Sequence, residues 1–461
     1  MKRLNLRELT KTLGIDYSGP NVIIRSVHND INKIREHSLT FHLKKNVPIN
    51  AKLFRELKDA YLVTDQPPLL TEELPKERLL LVANVEQAYR KFIRYYRQLF
   101  NFPVVAVTGT CGKTSTKEMI AQVLRKKHPV VATFQSKNAL RHYHRYLMRF
   151  DERCAYGVFE TALTHPGHVS GGCALVRPQI GIITKIGIDH LNHCNSLDLY
   201  IKAKAEMVTA LGADGTLIIN GDCENTKKID LSYFKGKIII FGIDNPADFR
   251  GARLQYREKG MRFILIHEGN EYRVDLPVFG RHNVYNALAA LAALNELGVP
   301  LEEAIAGLRD YKPIRAHTEV FTGPKGSLMI DDTWSANPTS LSAALEVLNQ
   351  LGANKKKIVV IGRISYLGNQ TDLYYQKVAE EIAASGVDSL ITKGSSAERI
   401  ASYAIQASMK AENVIACPDN STVKARLMER LDDQTAVLFK ISMLDKSFMF
   451  LIDEFRKVSQ S

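Results

Sequence analysis

FPVVAVTGTCGKTS, Phe102 to Ser115, is the stretch on which the reading of the fold turns. Val104 to Val107 form a short β-branched apolar run that ends at Thr108-Gly109. From Gly112 onward, GKTSTKEMIAQVLRKK sets apolar side chains at helical spacing. Strand, glycine turn and helix open an α/β unit. Downstream, YGVFET (156–161), QIGIITKI (179–186) and TLIIN (216–220) repeat the buried-strand pattern with helical or loop segments between them. This alternation predicts a mostly parallel sheet covered on both faces. GRHNVYNALAALAALNELG, Gly280 to Gly298, predicts one alanine-rich helix stopped by its last glycine. After Pro313 the alternation resumes with SLMIDD, KKIVVIG, SLITKG and AVLFK, predicting a second α/β domain from about Arg315 to the end.

Upstream, the first hundred residues are the most basic and least patterned. They offer a short helix at Leu6 to Leu13, a strand-like stretch at Val22 to Val27, a loop at Pro67-Pro68 and a long helix at Val85 to Leu99. At 461 residues the chain exceeds the size of a single core, so several domains are expected. With 45% apolar and 24% charged residues, it is neither disordered nor collagen-like. Lys+Arg 62 against Asp+Glu 49 leaves a net charge of +13, which favours anionic partners. RKFIRYYRQLF (90–100) reads as one amphipathic helix rather than a basic stripe, so no nucleic-acid partner is expected. Six cysteines without a C-x-x-C pair fit a reducing compartment and argue against a zinc ribbon. The N-terminus has no apolar signal core, and no apolar run approaches the ~20 residues of a membrane helix. A cytoplasmic monomer is the expectation.

Gly109-Thr110-Cys111-Gly112-Lys113-Thr114-Ser115 carries the clearest chemistry. Backbone N–H groups of a glycine turn at a helix N-terminus cradle phosphate oxygens. Lys113 would reach the β/γ-phosphates, and the Thr114 hydroxyl would ligate Mg²⁺. Gly109 stands closer to Gly112 than the general P-loop spacing allows, so the strand–turn–helix context carries this reading. Glu160 and Asp189-His190 end apolar strands, where α/β sheets bind ligands. Sharing an edge with a phosphate cradle gives Glu160 and His190 a route to Mg²⁺ duty; alone, each reads as a loop residue. Lys204, in IKAKAEM, reads from residue types as part of a solvated helix face. Asn283 and Asn286 lie one turn apart, able to grip a base edge or to cap the helix. Asp331-Asp332-Thr-Trp-Ser-Ala-Asn-Pro marks a strand-to-helix passage whose acidic pair could bind a ribose hydroxyl or a cation. Trp334 is left between core and ligand platform.

In order, VVAVTGTCGKTSTKEMIAQVL, FETALTHPGH, IGIDHLNH, YIKAKAEM, GRHNVYNALAA and DDTWSANPTSL resemble the motif series of the Mur ligase family. The resemblance is close from Phe102 to about Gln350 and loose elsewhere. Within the family it is greatest to the branch that adds D-alanyl-D-alanine to UDP-N-acetylmuramoyl-tripeptide in peptidoglycan synthesis. It implies three domains: 1–101 for the nucleotide-sugar acid, 102–314 for ATP on a P-loop ATPase-like parallel sheet, and 315–461, Rossmann-like, for the amine. It also implies an ATP- and Mg²⁺-dependent peptide ligase working through an acyl phosphate. By matching position, Gly109 to Ser115 would hold the phosphates, with Lys113 catalytic. Thr114 and Glu160 would share one Mg²⁺ and His190 would serve a second. Lys204 would be carbamylated and so become an anionic metal ligand. Asn283 and Asn286 would face adenine, Arg315 a phosphate and Asp332 the ribose.

Several positions depart from that pattern. Ser26–Leu43 has Asp30-Ile-Asn for the usual Asp-Ser-Arg, IGRISYLG (361–368) replaces a Gly-Asp…Glu-Leu-Gly pattern, Lys440-Ile-Ser-Met replaces Lys-Gly-Ser-Arg, and Ile314 replaces a glycine. ATP chemistry is expected to survive these changes. They leave open a paralogue joining another carboxylate and amine, or a nucleotide-binding protein lapsed in catalysis. The expected partners are small molecules: an anionic, nucleotide-linked carboxylate near Arg25, Lys33, Arg35, Lys44 and Lys45, and an amino-acid or dipeptide amine.

Overall fold

Val104–Thr108 forms the expected strand and Lys113–Arg125 the expected helix in the computed structural model, which describes residues 1–44, 46–47, 51–66, 75–163 and 165–458. Lys45 and the Pro67-Pro68 loop lie outside the described residues. The chain divides into two compact units: 1–104 with 127–159 and 171–178, and 105–126 with 160–170 and 179–461.

The first unit begins with helix Leu6–Leu13, as the sequence predicts. The Asn5 side chain accepts from the N–H groups of Arg7 and Glu8, and Gly14 closes the helix in the left-handed region. Ser26–His28, Ser38–Phe41, Ala60–Thr64 and Leu79–Leu81 pair in chain order as a four-stranded parallel sheet. Helix Val85–Gln98 turns Phe92, Ile93 and Tyr96 into a core shared with Phe41, Tyr61, Tyr143 and Phe150. Arg97 of this helix is buried. Its Nε donates to the Val176 carbonyl at 2.6 Å, one terminal nitrogen donates to Phe100 O at 2.7 Å, and the guanidinium lies over the Phe102 and Phe150 rings.

The second unit holds two sheets. In the first, Val104–Thr108, Ile180–Ile183, Thr216–Asn220 and Lys237–Gly242 are parallel neighbours, and the nearly all-round buried helix Arg281–Glu296 covers them. This sheet continues into an antiparallel meander, Phe249–Arg257, Gly260–His267 and Asn270–Leu276, which the sequence reading did not find. Its second turn is a two-residue Glu268-Gly269 corner with both residues at positive φ. Such a corner usually announces itself as Asn-Gly or Asp-Gly, and glutamate hides it. The second sheet runs in the order Glu319–Thr322, Leu328–Asp331, Thr435–Lys440, Lys356–Ile361, Ser389–Lys393, Val414–Cys417. All neighbours but the first pair are parallel. Successive strands step outward from Lys356–Ile361, and then the chain returns to insert Thr435–Lys440 on its other side. The carboxyl ends of those two adjacent strands are therefore the topological switch point, where open α/β sheets bind ligands.

Arg97→Ala removes the donors for two buried carbonyls and opens a gap beside Phe102 and Phe150. It should destabilise the chain by about 2–4 kcal/mol, read as a lowered denaturation midpoint.

Candidate active site

The loop after strand Val104–Thr108 can lie where it does only because two positions have no side chain. A Cβ on Gly109 would stand 2.0 Å from Thr184 Oγ1, and one on Gly112 would stand 2.2 Å from Asn286 Oδ1. Both glycines have positive φ (145° and 86°), which suits glycine. The Thr184 hydroxyl reaches the carbonyls of Cys111 (2.7 Å) and Thr108 (3.1 Å), and Thr110 N–H donates to Lys185 O at 2.7 Å. The Thr110 hydroxyl accepts from Gly187 N–H at 2.9 Å and lies 3.0 Å from the buried Tyr200 hydroxyl. Thus the end of strand Ile180–Ile183 pins the loop from one side.

Helix Arg281–Glu296 pins it from the other. Asn286 Oδ1 lies 3.5 Å from Thr116 Oγ1, its amide donates to Asn283 Oδ1 at 3.0 Å, and the Asn283 amide donates to Phe279 O at 2.8 Å. In this arrangement both asparagines are buried and hold the loop in place. The amide of Asn283 also lies 3.1 Å from Nε2 of His282, whose pKa burial lowers to about 4, so that imidazole is neutral.

Lys113 opens the loop helix and donates to Thr110 O at 2.8 Å. Thr114 donates from its hydroxyl to the buried Glu160 carboxylate at 2.9 Å. Lys204, on helix Leu197–Leu211, is only 1% exposed. Its ammonium nitrogen lies 3.4 Å from Thr108 Oγ1 and over the Tyr200 ring. Burial first, and the Lys113 charge second, hold its pKa well below the usual lysine range. His190 sits at positive φ at the start of the short helix Leu191–Cys194. Its ring is stacked on Tyr366 at 4.8 Å, and its Nδ1 is buried without a partner among the described residues. Burial lowers its pKa as well.

The structure therefore brings Gly109 to Ser115, Glu160, Lys204, Asn283 and Asn286 to one edge of the central sheet, with Asp189-His190 on the loop beyond strand Ile180–Ile183. Arg315 stands apart from this group: it is exposed and ion-paired with Asp453 of the last helix. Asp332 accepts from Thr318 N–H and hydroxyl through one oxygen (3.0 and 3.2 Å) and from buried Lys440 through the other. Burial pushes its pKa up, but the Lys440 charge and hydrogen bond outweigh that and hold it low. Trp334 is half-buried and stacked on His317. The sequence reading missed Thr184, Tyr200, Tyr366 and the Lys440–Asp332 pair. Thr184 gave no signal beyond its place at a strand end, whereas Tyr366 sat in a stretch already marked as divergent.

Among the described residues, no three His, Cys, Asp or Glu side chains group as a metal-ligand set. The donors present are mixed: a threonine hydroxyl against a carboxylate, with a partnerless histidine nitrogen on the neighbouring strand's exit loop. Hard oxygens of this kind fit Mg²⁺.

The profile of the Mur ligase middle domain matches residues 107–294, and that of the Mur ligase glutamate ligase domain matches 318–442. The chain belongs to the Mur ligase family. Mur ligases are ATP-dependent ligases, and this chain is one of them. It is 27% identical over 405 residues to the UDP-N-acetylmuramoyl-tripeptide–D-alanyl-D-alanine ligase of Escherichia coli K12, covering 87% of this chain and 88% of that one. The crystal structure of MurF from Acinetobacter baumannii superposes with a TM-score of 0.85 at 24% identity, covering 98% and 99% of the two chains. MurF from Thermotoga maritima, solved in complex with ADP, gives 0.80 at 20% identity over 94% and 97%. These Mur ligases share the three-domain α/β fold of this chain. No helix among the described residues is long and apolar enough to cross a membrane.

Gly112→Ala sets a Cβ against Asn286 and forces a left-handed residue, at about 1–2 kcal/mol for the backbone alone. Nucleotide affinity measured by calorimetry should fall more than tenfold. Adding Asn286→Ala removes the clash but not the strain, so it should recover only part of the loss.

Proposed function

We propose that this Mur ligase joins D-alanyl-D-alanine to UDP-N-acetylmuramoyl-tripeptide in the cytoplasm. Residues 1–101 would receive the nucleotide-linked acid, 102–314 ATP, and 315–461 the dipeptide. The observation that carries the reading is the Thr114–Glu160 contact beside Lys113 and the deeply buried Lys204. The names of the relatives from Escherichia coli and Bacillus subtilis, the latter 25% identical over 95% of this chain, support the substrate pair.

The chemistry asks for charge neutralisation. A carboxylate oxygen of the acid attacks the γ-phosphorus and ADP leaves. The amine nitrogen then attacks the acyl carbon, loses a proton, and inorganic phosphate departs. Both partners of the first step are anions, so stabilisation of charge on the transferring group dominates catalysis. Lys113 would exchange its loop carbonyl for the β/γ-phosphates, to which the N–H groups of Gly109 to Ser115 also donate. Mg²⁺ at Thr114, Glu160, His190 and Lys204 would supply further charge and align the phosphates. Asn283 and Asn286 would keep the loop in register beside the base, and Arg315 and Asp332 would meet phosphate and ribose once they leave Asp453 and Lys440.

Lys204 is suited to carbamylation for a physical reason. A lysine whose pKa is depressed by burial gives up its proton more readily than an exposed one, and only the neutral amine adds to carbon dioxide. The adduct loses a proton and becomes an anionic oxygen donor.

Purified protein given ATP, Mg²⁺, UDP-muramoyl-tripeptide and D-alanyl-D-alanine should release phosphate stoichiometrically with ligated product. No release with this pair, alongside release with another acid and amine, would replace the reading by a paralogue's. Lys204→Ala should lose activity by about a hundredfold or more and regain part of it with short-chain carboxylic acids. Full activity without added acid would return Lys204 to a packing role.

A further inference from the structure

The loop Gly362 to Gly368 leaves strand Lys356–Ile361 at the switch point of the second sheet, and it carries two features, with a third on the adjoining strand, that the proposed chemistry does not use. Arg363 is exposed and makes no hydrogen bond or ion pair with the described residues. The other strand-end cations of this sheet are committed, Lys440 to Asp332 and Lys393 to Asp445. Ser365 is 7% exposed, and its hydroxyl has no hydrogen-bond partner among the described residues. Thr392, fully buried and paired in register with Ile361 on the adjoining strand, has a partnerless hydroxyl too. Orphaned buried hydroxyls cost free energy unless something meets them.

The same loop also touches the phosphate site. Tyr366, at φ 66°, stacks on His190, Asn192 N–H donates to Tyr366 O at 3.4 Å, and a Cβ on Gly368 would lie 3.1 Å from Asn192 Cα. One end of this short loop thus lies beside the proposed phosphoryl-transfer residues, and the other carries an uncommitted guanidinium. A dipeptide has the complementary layout: an amine that must reach the acyl phosphate and a carboxylate at most about 7 Å away.

We propose that this loop is the amine-substrate subsite, with Arg363 holding the dipeptide's free carboxylate and the Ser365 hydroxyl donating to it. The inference rests on the ligase reading above and adds a specificity determinant to it. A guanidinium can meet a carboxylate through two parallel hydrogen bonds, a geometry lysine lacks. The position suits a substrate anion because no carboxylate among the described residues claims it. Tyr366 is a positioning residue that holds the loop against His190.

The test crosses two substrates with three proteins. The full chain is given ATP, Mg²⁺ and UDP-muramoyl-tripeptide with D-alanyl-D-alanine or its C-terminal carboxamide, and phosphate release is followed. Wild type should prefer the acid over the amide by about 10- to 100-fold in kcat/KM. Arg363→Met should raise KM for the acid by a similar factor while kcat changes little, bringing the acid-to-amide ratio toward one. Arg363→Lys should fall between. Ser365→Ala removes a hydroxyl that bonds nothing among the described residues, so a purely structural serine predicts no change, whereas the subsite predicts a raised KM for the acid. If Arg363→Met weakens acid and amide equally, or wild type does not distinguish them, the subsite is wrong while the ligase reading stands. If wild type turns over neither substrate, the ligase reading fails and the subsite with it.

Discussion

The closeness with which backbone meets side chain at Gly109 and Gly112 is the constraint on which the candidate site depends. Thr184 on one side and Asn286 on the other approach the loop to distances that any Cβ would block. In return, the Thr184 hydroxyl and the Asn286 amide oxygen reach the loop and the first turn of its helix, and Thr110 engages Lys185 and Gly187. The loop is held by neighbours on both flanks before any ligand arrives. Its donors therefore need not be reorganised when a phosphate binds, and that preorganisation makes such donors effective.

Burial around this loop also sets the charge states. Burial first, and the nearby Lys113 charge second, disfavour the charged form of Lys204. Burial likewise lowers the pKa of His190 and His282, although carboxylates lie near both. The site thus combines a lysine at its mouth with nitrogen bases in its interior whose charged forms burial disfavours. Anions are drawn to the first, and the second remain available as nucleophile or ligand.

Much of this was legible in the residues where geometry admits few residue types. Strand Val104–Thr108, the glycine turn and helix Lys113–Arg125 follow from apolar run, glycine spacing and helical period. Helix Arg281–Glu296 begins and ends within two residues of its bounding glycines. Lys204 was misread from its residue type, yet its burial was available in the pattern. Tyr200, Ile201, Met207, Val208 and Leu211 form an apolar helical stripe, and position 204 falls on it. The antiparallel meander was hidden because Glu268-Gly269 is an uncommon corner pair. Strand Val414–Cys417 was hidden because three of its four residues are not fully buried, so it lacks a core strand's apolar signature. Contacts such as Tyr366 on His190 join residues far apart in sequence, and no local pattern encodes them.

These differences in legibility follow the physics of the two tasks. Cradling phosphate demands close backbone approach, which only glycine permits, so a candidate phosphate loop is written in few letters. Holding a carboxylate demands a cation within reach, which arginine or lysine on any of several loops can supply. The departures from the family pattern fall in that second class, at Ile31, Asn32, Ile314, Arg363 and Met443, while Gly109, Gly112, Lys113 and Thr114 stay within it. Charge can be moved from one loop to another without disturbing the fold, as the exposure of Arg363 and Arg315 illustrates. A Cβ at Gly112 cannot be moved anywhere, because Asn286 already occupies the space. Departures at the candidate recognition positions beside a preserved candidate phosphate loop are therefore what these two kinds of constraint produce, and they require no loss of catalysis.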